Sequence, residues 1–276
     1  MALYSRKNTK GPPGENPDTV KKSHYDYLCG ALKLNPRREV ISFVGAGGKT
    51  SAMIRIANEL AVYKKKVILT TTTKTENIDF RLIRIHRKLN GETVNKIEEI
   101  LSCGQSVLCA KRRVKGDKIK GLHPRIILDI NREIKFDYMI VEADGSAKKS
   151  LKAPGNYEPP VPKCTTLFIP IVGFDILGKK INTANVHRPR MVCRVLDKKL
   201  GDIIEPDDLV NIIKNPGGLL KNRPKATRTT VILNKVDSEN MDEATGIAGN
   251  ILRKTPGVES VLCGQLHSPH QLSLFV

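Results

Sequence analysis

From residue 37 onward, short β-branched runs alternate with stretches of helical periodicity, and this alternation limits the possible folds more than any other pattern. Strands and helices that alternate along a chain build a mostly parallel sheet with helices on its faces. The sequence therefore predicts an α/β fold. The predicted strands cover residues 40–44, 67–73, 106–110, 138–142, 165–172, 229–233 and 260–262, and the predicted helices cover residues 50–65, 94–102, 206–214 and 241–253.

The length and composition indicate one large domain with an appendage. The chain has 276 residues, 39% of them hydrophobic, and a single core stops growing at roughly 250 to 300 residues. Residues 1–36 begin with a segment rich in Gly and Pro that has little to bury, so we expect a flexible basic leader there. The α/β domain is expected over residues 37–276.

Two further patterns indicate where the protein works. The sequence has no run of ~20 consecutive apolar residues, the length that spans a bilayer, and its start lacks the apolar run of a secretory signal. We therefore expect a cytoplasmic protein without a membrane partner. The six cysteines lie apart in apolar segments, without CxxC or zinc-ligand spacing, which predicts reduced residues of the core.

The chain is strongly basic, with 47 Lys and Arg against 28 Asp and Glu and a net charge of +19 that attracts polyanions. Nucleic acid is one candidate partner, but the aromatic fraction is only 4%, and modules that bind single strands or RNA stack bases on aromatic rings. A phosphate-bearing ligand is the sharper expectation. Residues 111–120 hold six basic residues around Gly116 and predict an exposed hairpin, either a solvated loop or a basic flap over phosphates.

A glycine-rich loop follows the first predicted strand and precedes the first predicted helix. Glycines let successive backbone N–H groups point at phosphate oxygens, and the helix N-terminus adds partial positive charge. We expect Lys49 to contact the outer phosphates of GTP or ATP and the hydroxyl of Thr50 to ligate Mg²⁺. The predicted phosphate-binding residues are Gly45, Ala46, Gly47, Gly48, Lys49, Thr50 and Ser51.

This loop departs from the GxxxxGK[ST] pattern, because Phe43 stands where that spacing requires Gly. The shorter GxxGK[ST] pattern resembles the phosphate loop of the Mur ligases and folylpolyglutamate synthetases. The resemblance implies a P-loop NTPase-like three-layer sandwich. The alternative is a Gly-rich turn capped by Thr50.

Two acids follow the predicted strand 138–142, and ligands of open α/β sheets bind at such carboxyl ends of strands. A carboxylate there can hold Mg²⁺ or orient an attacking water. We assign Asp144 to the metal and Glu142 as a second metal ligand or general base, so that Lys49, Glu142 and Asp144 are the catalytic candidates. The alternative is that these acids only cap the next turn.

Hydroxyls and a lysine follow the predicted strand that begins at residue 67. We expect Thr72, Thr73 or Lys74 to contact the γ-phosphate or its acceptor, although β-branched Thr also favours strands for its own sake. After strand 229–233, the residues Asn234, Lys235 and Asp237 resemble the NKxD box of GTPases, whose carboxylate accepts the guanine N–H groups. This resemblance favours GTP over ATP.

A series of segments resembles the YqeC family of selenium-dependent hydroxylase accessory proteins. The segments are GAGGKTS (45–51), TTTTK (70–74), EADGSAKKSLKAP (142–154), EPPVP (158–162), VGFDILGK (172–179), VHRP (186–189), PGGLLK (216–221) and LNKVD (233–237). The resemblance implies a nucleotide-binding protein in the maturation of selenium-dependent molybdenum hydroxylases, with a hydroxylase or its cofactor-maturation proteins as partners. The family pattern has His where this chain has Tyr157, so a catalytic role of that His would leave this member altered or inactive.

The same segments supply a predicted acceptor site. Lys152 and Glu158 lie in a Pro-rich loop after the acidic strand end, and His187 and Arg188 offer a titratable group and an anion clamp. Together with Lys74 they are the acceptor-site candidates, and Pro-rich packing with an ordinary helix entry is the alternative.

The predicted function is that of a Mg²⁺-dependent NTPase or nucleotide-dependent transferase. A second hypothesis is a nucleotide-sensing chaperone or delivery protein without turnover of its own. A third is a basic nucleic-acid-binding protein whose glycine loop is incidental, which would show a steep dependence of binding on salt.

Overall fold

The computed structural model describes residues 22–25, 27–267 and 272–276. The strands are β1 (Lys22–Tyr25), β2 (Glu39–Gly45), β3 (Val67–Thr71), β4 (Lys74–Glu76), β5 (Arg81–Arg84), β6 (Val107–Ala110), β7 (Arg112–Val114), β8 (Lys118–Lys120), β9 (Tyr138–Glu142), β10 (Leu151–Lys152), β11 (Leu167–Gly173), β12 (Val186–His187), β13 (Arg228–Asn234), β14 (Ser260–Gly264) and β15 (Leu272–Phe275). The helices are α1 (Leu28–Ala31), α2 (Lys49–Val62), α3 (Gly91–Ser102), α4 (Pro124–Glu133), α5 (Pro189–Leu196), α6 (Pro206–Lys214) and α7 (Met241–Lys254), and a 3₁₀ turn covers Phe174–Ile176.

Ten strands form the central sheet in the order β1-β15-β14-β13-β11-β2-β9-β3-β6-β5. The eight strands from β14 to β5 run parallel, while β15 is antiparallel to β14 and β1 is antiparallel to β15. This confirms the predicted α/β fold with a mostly parallel sheet. The glycine loop follows β2, which lies between β11 and β9 in the middle of the sheet.

The sheet is covered on both faces, because successive side chains of a strand point to opposite sides. In β11, Ile169 and Ile171 belong to the core beneath α1 and α2. Phe168 and Val172 point to the other side, where Phe168 packs in the core of α3 and α4 and Val172 in the core of α5, α6 and α7. A parallel strand buried on both faces needs apolar residues throughout, which is why β-branched runs mark these strands in the sequence.

The ordered domain begins before the boundary predicted at residue 37. Leu28 and Leu32 are buried, and β1 pairs with β15 at the edge of the sheet. The other part of the predicted leader, residues 1–21, lies outside the described residues.

The basic segment 111–120 forms a hairpin, as predicted. Its strands β7 and β8 join β4 in a second sheet of order β4-β8-β7, and Gly116 and Asp117 take positive φ angles of 76° and 46° in the turn. No disulfide joins the six cysteines, all of which lie within residues 27–267; Cys103 is exposed, contrary to the expectation of a core position. Over the described ranges, no helix is both long and apolar enough to cross a bilayer.

Candidate functional site

The glycine loop is forced into its shape by the strand beside it. Gly45 and Gly47 have φ angles of +89° and +90°, and a Cβ on either would collide with the backbone of β11, at Ile171 or Gly173. Gly48 has φ +141°, a conformation that L side chains rarely adopt, and α2 starts at the next residue. The loop therefore needs glycine at all three positions, and its backbone lies directly at the N-terminus of α2.

Lys49 is buried within a set of oxygen atoms. Its Nζ donates to the Gly45 carbonyl at 2.6 Å and to Ser146 Oγ at 3.1 Å. The same Nζ lies 3.2 Å from Asp144 Oδ1 and 3.9 Å from Glu142 Oε1. The two acids predicted from the end of β9 thus meet the lysine predicted from the glycine loop.

Glu142 and Asp144 have different surroundings. Thr50 and Thr75 donate their hydroxyls to Glu142 Oε2 at 3.0 and 3.1 Å, and burial raises the pKa of Glu142. Asp144 is fully buried; its Oδ2 accepts from Gly45 N and contacts Lys152 Nζ, both at 3.1 Å. Asp144 therefore holds the loop, and Glu142 is the carboxylate beside the Thr50 hydroxyl.

The pair of Thr50 and Glu142 fits Mg²⁺, which takes one or two protein carboxylates together with substrate phosphates. A complete cage of protein ligands is not needed for this binding mode. Within the described ranges, no group of three or more His, Cys, Asp or Glu is arranged to hold a metal ion.

Most of the predicted site residues meet at one cavity of about 850 Å³ at the carboxyl ends of the strands. Its lining includes Gly47, Gly48, Lys49, Thr50, Ser51, Thr73, Lys74, Glu142, Glu158, His187, Arg188, Asn234 and Lys235. The predicted residues outside the lining are Gly45, Ala46, Thr72, Asp144, Lys152 and Asp237. Tyr157 is 94% exposed and also lies outside the lining, although its neighbour Glu158 belongs to it.

The residues of the NKxD-like segment have separate tasks. Asn234 is buried, donates from Nδ2 to the Gly47 carbonyl at 2.6 Å and accepts from Leu266 N at 2.9 Å. It thereby joins the loops that follow β2, β13 and β14. Lys235 pairs with Asp175 at 2.9 Å, and Asp237 Oδ1 accepts from two N–H groups of its own turn, at residues 239 and 240.

Of the two threonines that follow β3, one has a structural role and the other lines the cavity. Thr72 donates its hydroxyl to the Ala143 carbonyl at 3.0 Å and ties β3 to the loop after β9. Thr73 lines the cavity, and its buried Oγ1 has no hydrogen-bond partner in the described part of the chain. Of the two, Thr73 is the hydroxyl placed for a ligand.

The predicted acceptor residues lie together because β10 pairs with β12, which sets Lys152 opposite His187. Lys152 is fully buried and contacts Glu158 Oε2 at 3.1 Å, and Glu158 Oε1 pairs with Arg188 at 2.6 Å. Burial alone would raise the pKa of Glu158, but Lys152 and Arg188 hold it below its usual value. Burial, and then the charges of Lys152 and Arg188, lower the pKa of His187.

Several residues of the site were not predicted from the sequence. Ser146 and Thr75 contact Lys49 and Glu142, and His267 accepts or donates a hydrogen bond at 2.9 Å with Ser51. Lys221 donates to the carbonyls of residues 155 and 156 at 2.7 and 2.9 Å. Lys221 stands in the PGGLLK segment, which was a usable signal, whereas nothing in the sequence marks His267.

The fold and the site define an α/β protein with a charged cavity at the carboxyl ends of a mostly parallel sheet. The family model described as YqeC protein matches residues 41–190. The chain is also 31% identical over 208 residues to "Uncharacterized protein YqeC" of Escherichia coli (strain K12), a match that covers 74% of this chain and 78% of that protein. The chain belongs to the YqeC family, as its motif series predicted.

Proposed function

We propose that this chain binds a nucleoside triphosphate with Mg²⁺ in the cavity and acts as an NTPase or nucleotide-dependent transferase on a P-loop NTPase-like fold. The observation that carries the proposal is the contact of Thr50 with Glu142 beside Lys49, at the first turn of α2. Backbone N–H groups at a helix start favour phosphate, and a hydroxyl with a carboxylate suits Mg²⁺.

Each group has one role in the proposed complex. Lys49 turns from the Gly45 carbonyl to the outer phosphates, and Thr50 and Glu142 hold Mg²⁺, which neutralises phosphate charge. Asp144 keeps its contacts with Gly45 and Lys152, so the loop stays in place. His187 lines the cavity, and burial lowers its pKa, which favours the neutral imidazole that can accept a proton from the nucleophile.

The preference for GTP over ATP rests on the NKxD-like segment. Asn234, the last residue of β13, supports it because its bond to the Gly47 carbonyl holds the start of this segment against the glycine loop. The carboxylate of Asp237 would read guanine after leaving the N–H groups of its turn. Replacing Asp237 by Ala should remove the preference for GTP and leave ATP binding unchanged.

The setting of the reaction comes from the family resemblance. We propose maturation of selenium-dependent molybdenum hydroxylases, with a hydroxylase or its cofactor-maturation proteins as the partner. The support is the series of shared motifs between residues 45 and 237.

Calorimetric titration with non-hydrolysable GTP and ATP analogues, with and without Mg²⁺, tests the nucleotide site. Wild type should bind more tightly with Mg²⁺. Thr50→Val should lose that difference, since it removes the hydroxyl that ligates the metal. Lys49→Ala should weaken binding by about a hundredfold or more, because a charge-assisted contact to phosphate is lost.

Two control variants keep the chemistry of the change but lie away from the cavity. Thr245 bonds the Met241 carbonyl within α7, and Lys96 is exposed and pairs with Glu92 on α3. Thr245→Val and Lys96→Ala should bind as wild type does. Absence of any nucleotide binding by wild type, or a full Mg²⁺ effect in Thr50→Val, would contradict the proposal.

A further inference from the structure

Five charged side chains form an unbroken series of contacts from the glycine loop to Arg188, which also lines the cavity. Lys49 Nζ lies 3.2 Å from Asp144 Oδ1, and Asp144 Oδ2 lies 3.1 Å from Lys152 Nζ. Lys152 Nζ is 3.1 Å from Glu158 Oε2, and Glu158 Oε1 is 2.6 Å from Arg188 Nη2. Asp144 and Lys152 are both completely buried, and burying charge is costly unless it is well paired.

The series ends at a residue whose backbone is strained. Arg188 precedes α5 in the left-handed region, with φ 60° and ψ 62°. Strain of this kind in a residue other than Gly clusters at ligand clamps and active sites. A Cβ on Gly155 would collide with the Arg188 guanidinium, so the side chain lies close against this loop. The loop is itself clamped by Lys221.

Glu158 serves to position this guanidinium rather than to exchange protons. Its Oε1 contacts Arg188, and its Oε2 contacts Lys152 and accepts from Gly155 N at 3.4 Å. Arg188 meets Glu158 through Nη2 alone, and a guanidinium offers five N–H donors. Arg188 therefore lines the cavity in a fixed orientation with donors left for a ligand.

The charge of the cavity exceeds what a nucleotide complex would neutralise. Seven Lys and Arg side chains and three carboxylates line it, and their ion-pair partners Lys152, Asp144 and Asp175 bring the count to eight cations against five carboxylates, an excess of three positive charges. A nucleoside triphosphate with one Mg²⁺ brings a charge of about −2. Positive charge therefore remains after the nucleotide is bound, and Lys149, His187 and Arg188 are among the residues that line the cavity.

We propose that Arg188, with the adjacent His187, is a second anion site that holds the acceptor substrate through a phosphate or carboxylate group. This inference rests on the proposed function, because it takes the glycine loop to hold the nucleotide. The bidentate geometry of a guanidinium suits both oxyanions. The acceptor is thus an anionic small molecule or an anionic group on a larger one, bound in the same cavity as the nucleotide.

Calorimetric titration of inorganic phosphate, and separately of succinate, into protein saturated with a non-hydrolysable Mg²⁺-nucleotide tests the site. The nucleotide blocks the glycine loop, so binding reports the second site. We expect Arg188→Gln to weaken binding of the preferred anion by about tenfold or more. Arg190→Gln, an exposed arginine two residues further along, should bind as wild type does. The preferred probe decides between a phosphate and a carboxylate acceptor.

The same titration with Lys49→Ala and no nucleotide separates the two proposals. Anion binding that needs Arg188 but not Lys49 supports the second site even if no nucleotide binds. Anion binding that needs Lys49 and not Arg188 overturns it, as does the absence of binding for both probes. If Arg188→Gln does not fold, Arg188→Lys decides, because it keeps the charge but loses the planar fork and should still weaken binding.

Discussion

Glu142 and Glu158 are carboxylates of one cavity whose environments push their pKa values in opposite directions. Around Glu142, burial outweighs two hydroxyl donors and the Lys49 Nζ at 3.9 Å, so its pKa is raised. Glu158 meets burial as well, but two cations in direct contact lower its pKa. At neutral pH Glu158 is therefore a fixed anion, whereas the charge of Glu142 depends on what binds beside it.

The raised pKa of Glu142 predicts how the stability of a variant depends on pH. The folded protein binds this proton more tightly than the unfolded chain, so the stabilisation is full below the usual value of 4.5 and is lost as the pH rises through the folded-state pKa. The side chain of Glu142→Gln stays neutral at every pH. The free energy of unfolding of this variant should therefore increase relative to that of wild type as the pH rises. Urea unfolding at about pH 5 and about pH 8 measures this.

Glu92→Gln is the matched control for this experiment. The hydrogen bond and charge of Lys96 lower the pKa of Glu92, so its stabilisation is present above 4.5 and is lost only as the pH falls further. The difference between this variant and wild type should stay constant from about pH 5 to about pH 8. If the difference in free energy of unfolding between Glu142→Gln and wild type also stayed constant with pH, a raised pKa at that position would be contradicted.

At this scale, the sequence was informative where chemistry follows a short motif. Lys49, Thr50 and Glu142 were found in that way, and all three line the cavity. Lys152 and Lys221 were in recognised motifs, but their contacts depend on the pairing of β10 with β12 and on a loop more than 60 residues away in sequence. Local pattern carries no information on such contacts.

At the scale of elements, replacing a glycine by alanine should have opposite effects on stability in the glycine loop and in α7. A Cβ on Gly48 would collide with the Asn234 side chain at φ +141°, so Gly48→Ala should displace Asn234 and cost about 1–3 kcal/mol of stability. Gly246 lies within α7, and a Cβ added there would meet no neighbouring atom within 4 Å. Gly246→Ala should instead stabilise by about 0.5–1 kcal/mol. Urea unfolding of both variants checks the opposite signs.

The small sheet β4-β8-β7 contains a row of like charges. Lys120 stands opposite Lys74 on one side and opposite Arg112 on the other, and none of the three forms an ion pair with the described part of the chain. Like charges directly opposite destabilise a sheet. Repulsion between these three side chains therefore destabilises the small sheet that contains the basic hairpin. Lys74 and Lys118 of this sheet also line the cavity.

Relief of this repulsion is measurable. Lys120→Gln should slow hydrogen exchange of the β8 amides by about twofold or more at low salt, and about 0.5 M NaCl should abolish the gain through screening. Lys115→Gln is the control, since Lys115 is exposed in the turn and faces no residue of the ladder. Equal effects of the two changes would show that net charge, and not the cross-strand row, matters.

All the predicted strands and helices occur in the structure, but several further elements were missed. The seven predicted strands correspond to β2, β3, β6, β9, β11, β13 and β14, and the four predicted helices to α2, α3, α6 and α7. The elements that were missed include α4 and α5 and strands of two to four residues such as β5, β10 and β12. So short a strand shows no periodicity, and only its partner strand defines it.

For the molecule as a whole, the charge of +19 should act on the rate of ligand capture. Long-range attraction speeds the approach of an anion and is screened by salt, whereas short contacts in the cavity set the rate of release. We expect the association rate of a Mg²⁺-nucleotide to fall by about tenfold between about 0.05 M and 0.5 M NaCl, with little change in dissociation. Stopped-flow fluorescence measures both, and an uncharged nucleoside is the control.

The fold class was accessible from the sequence, and the strand order was not. Alternation of strands and helices predicts parallel pairing, but it does not say that β2 lies between β11 and β9, strands more than 90 residues further along the chain. That order depends on which apolar faces the helices cover after folding. The burial of Leu28 before the expected domain start has the same origin, because its partners come from α2.

The bond from Asn234 to the Gly47 carbonyl bears on which fragments of this chain could keep the site intact. The region shared with the family model ends at residue 190, yet Asn234 and Lys221 lie beyond it and brace the glycine loop and the loop at Gly155. A fragment cut at that limit would keep six of the eight shared segments and lose the segments PGGLLK and LNKVD, which supply the bracing residues. The site therefore extends beyond the region that the family model matches, and transplanting it requires the strands β13 and β14 as well.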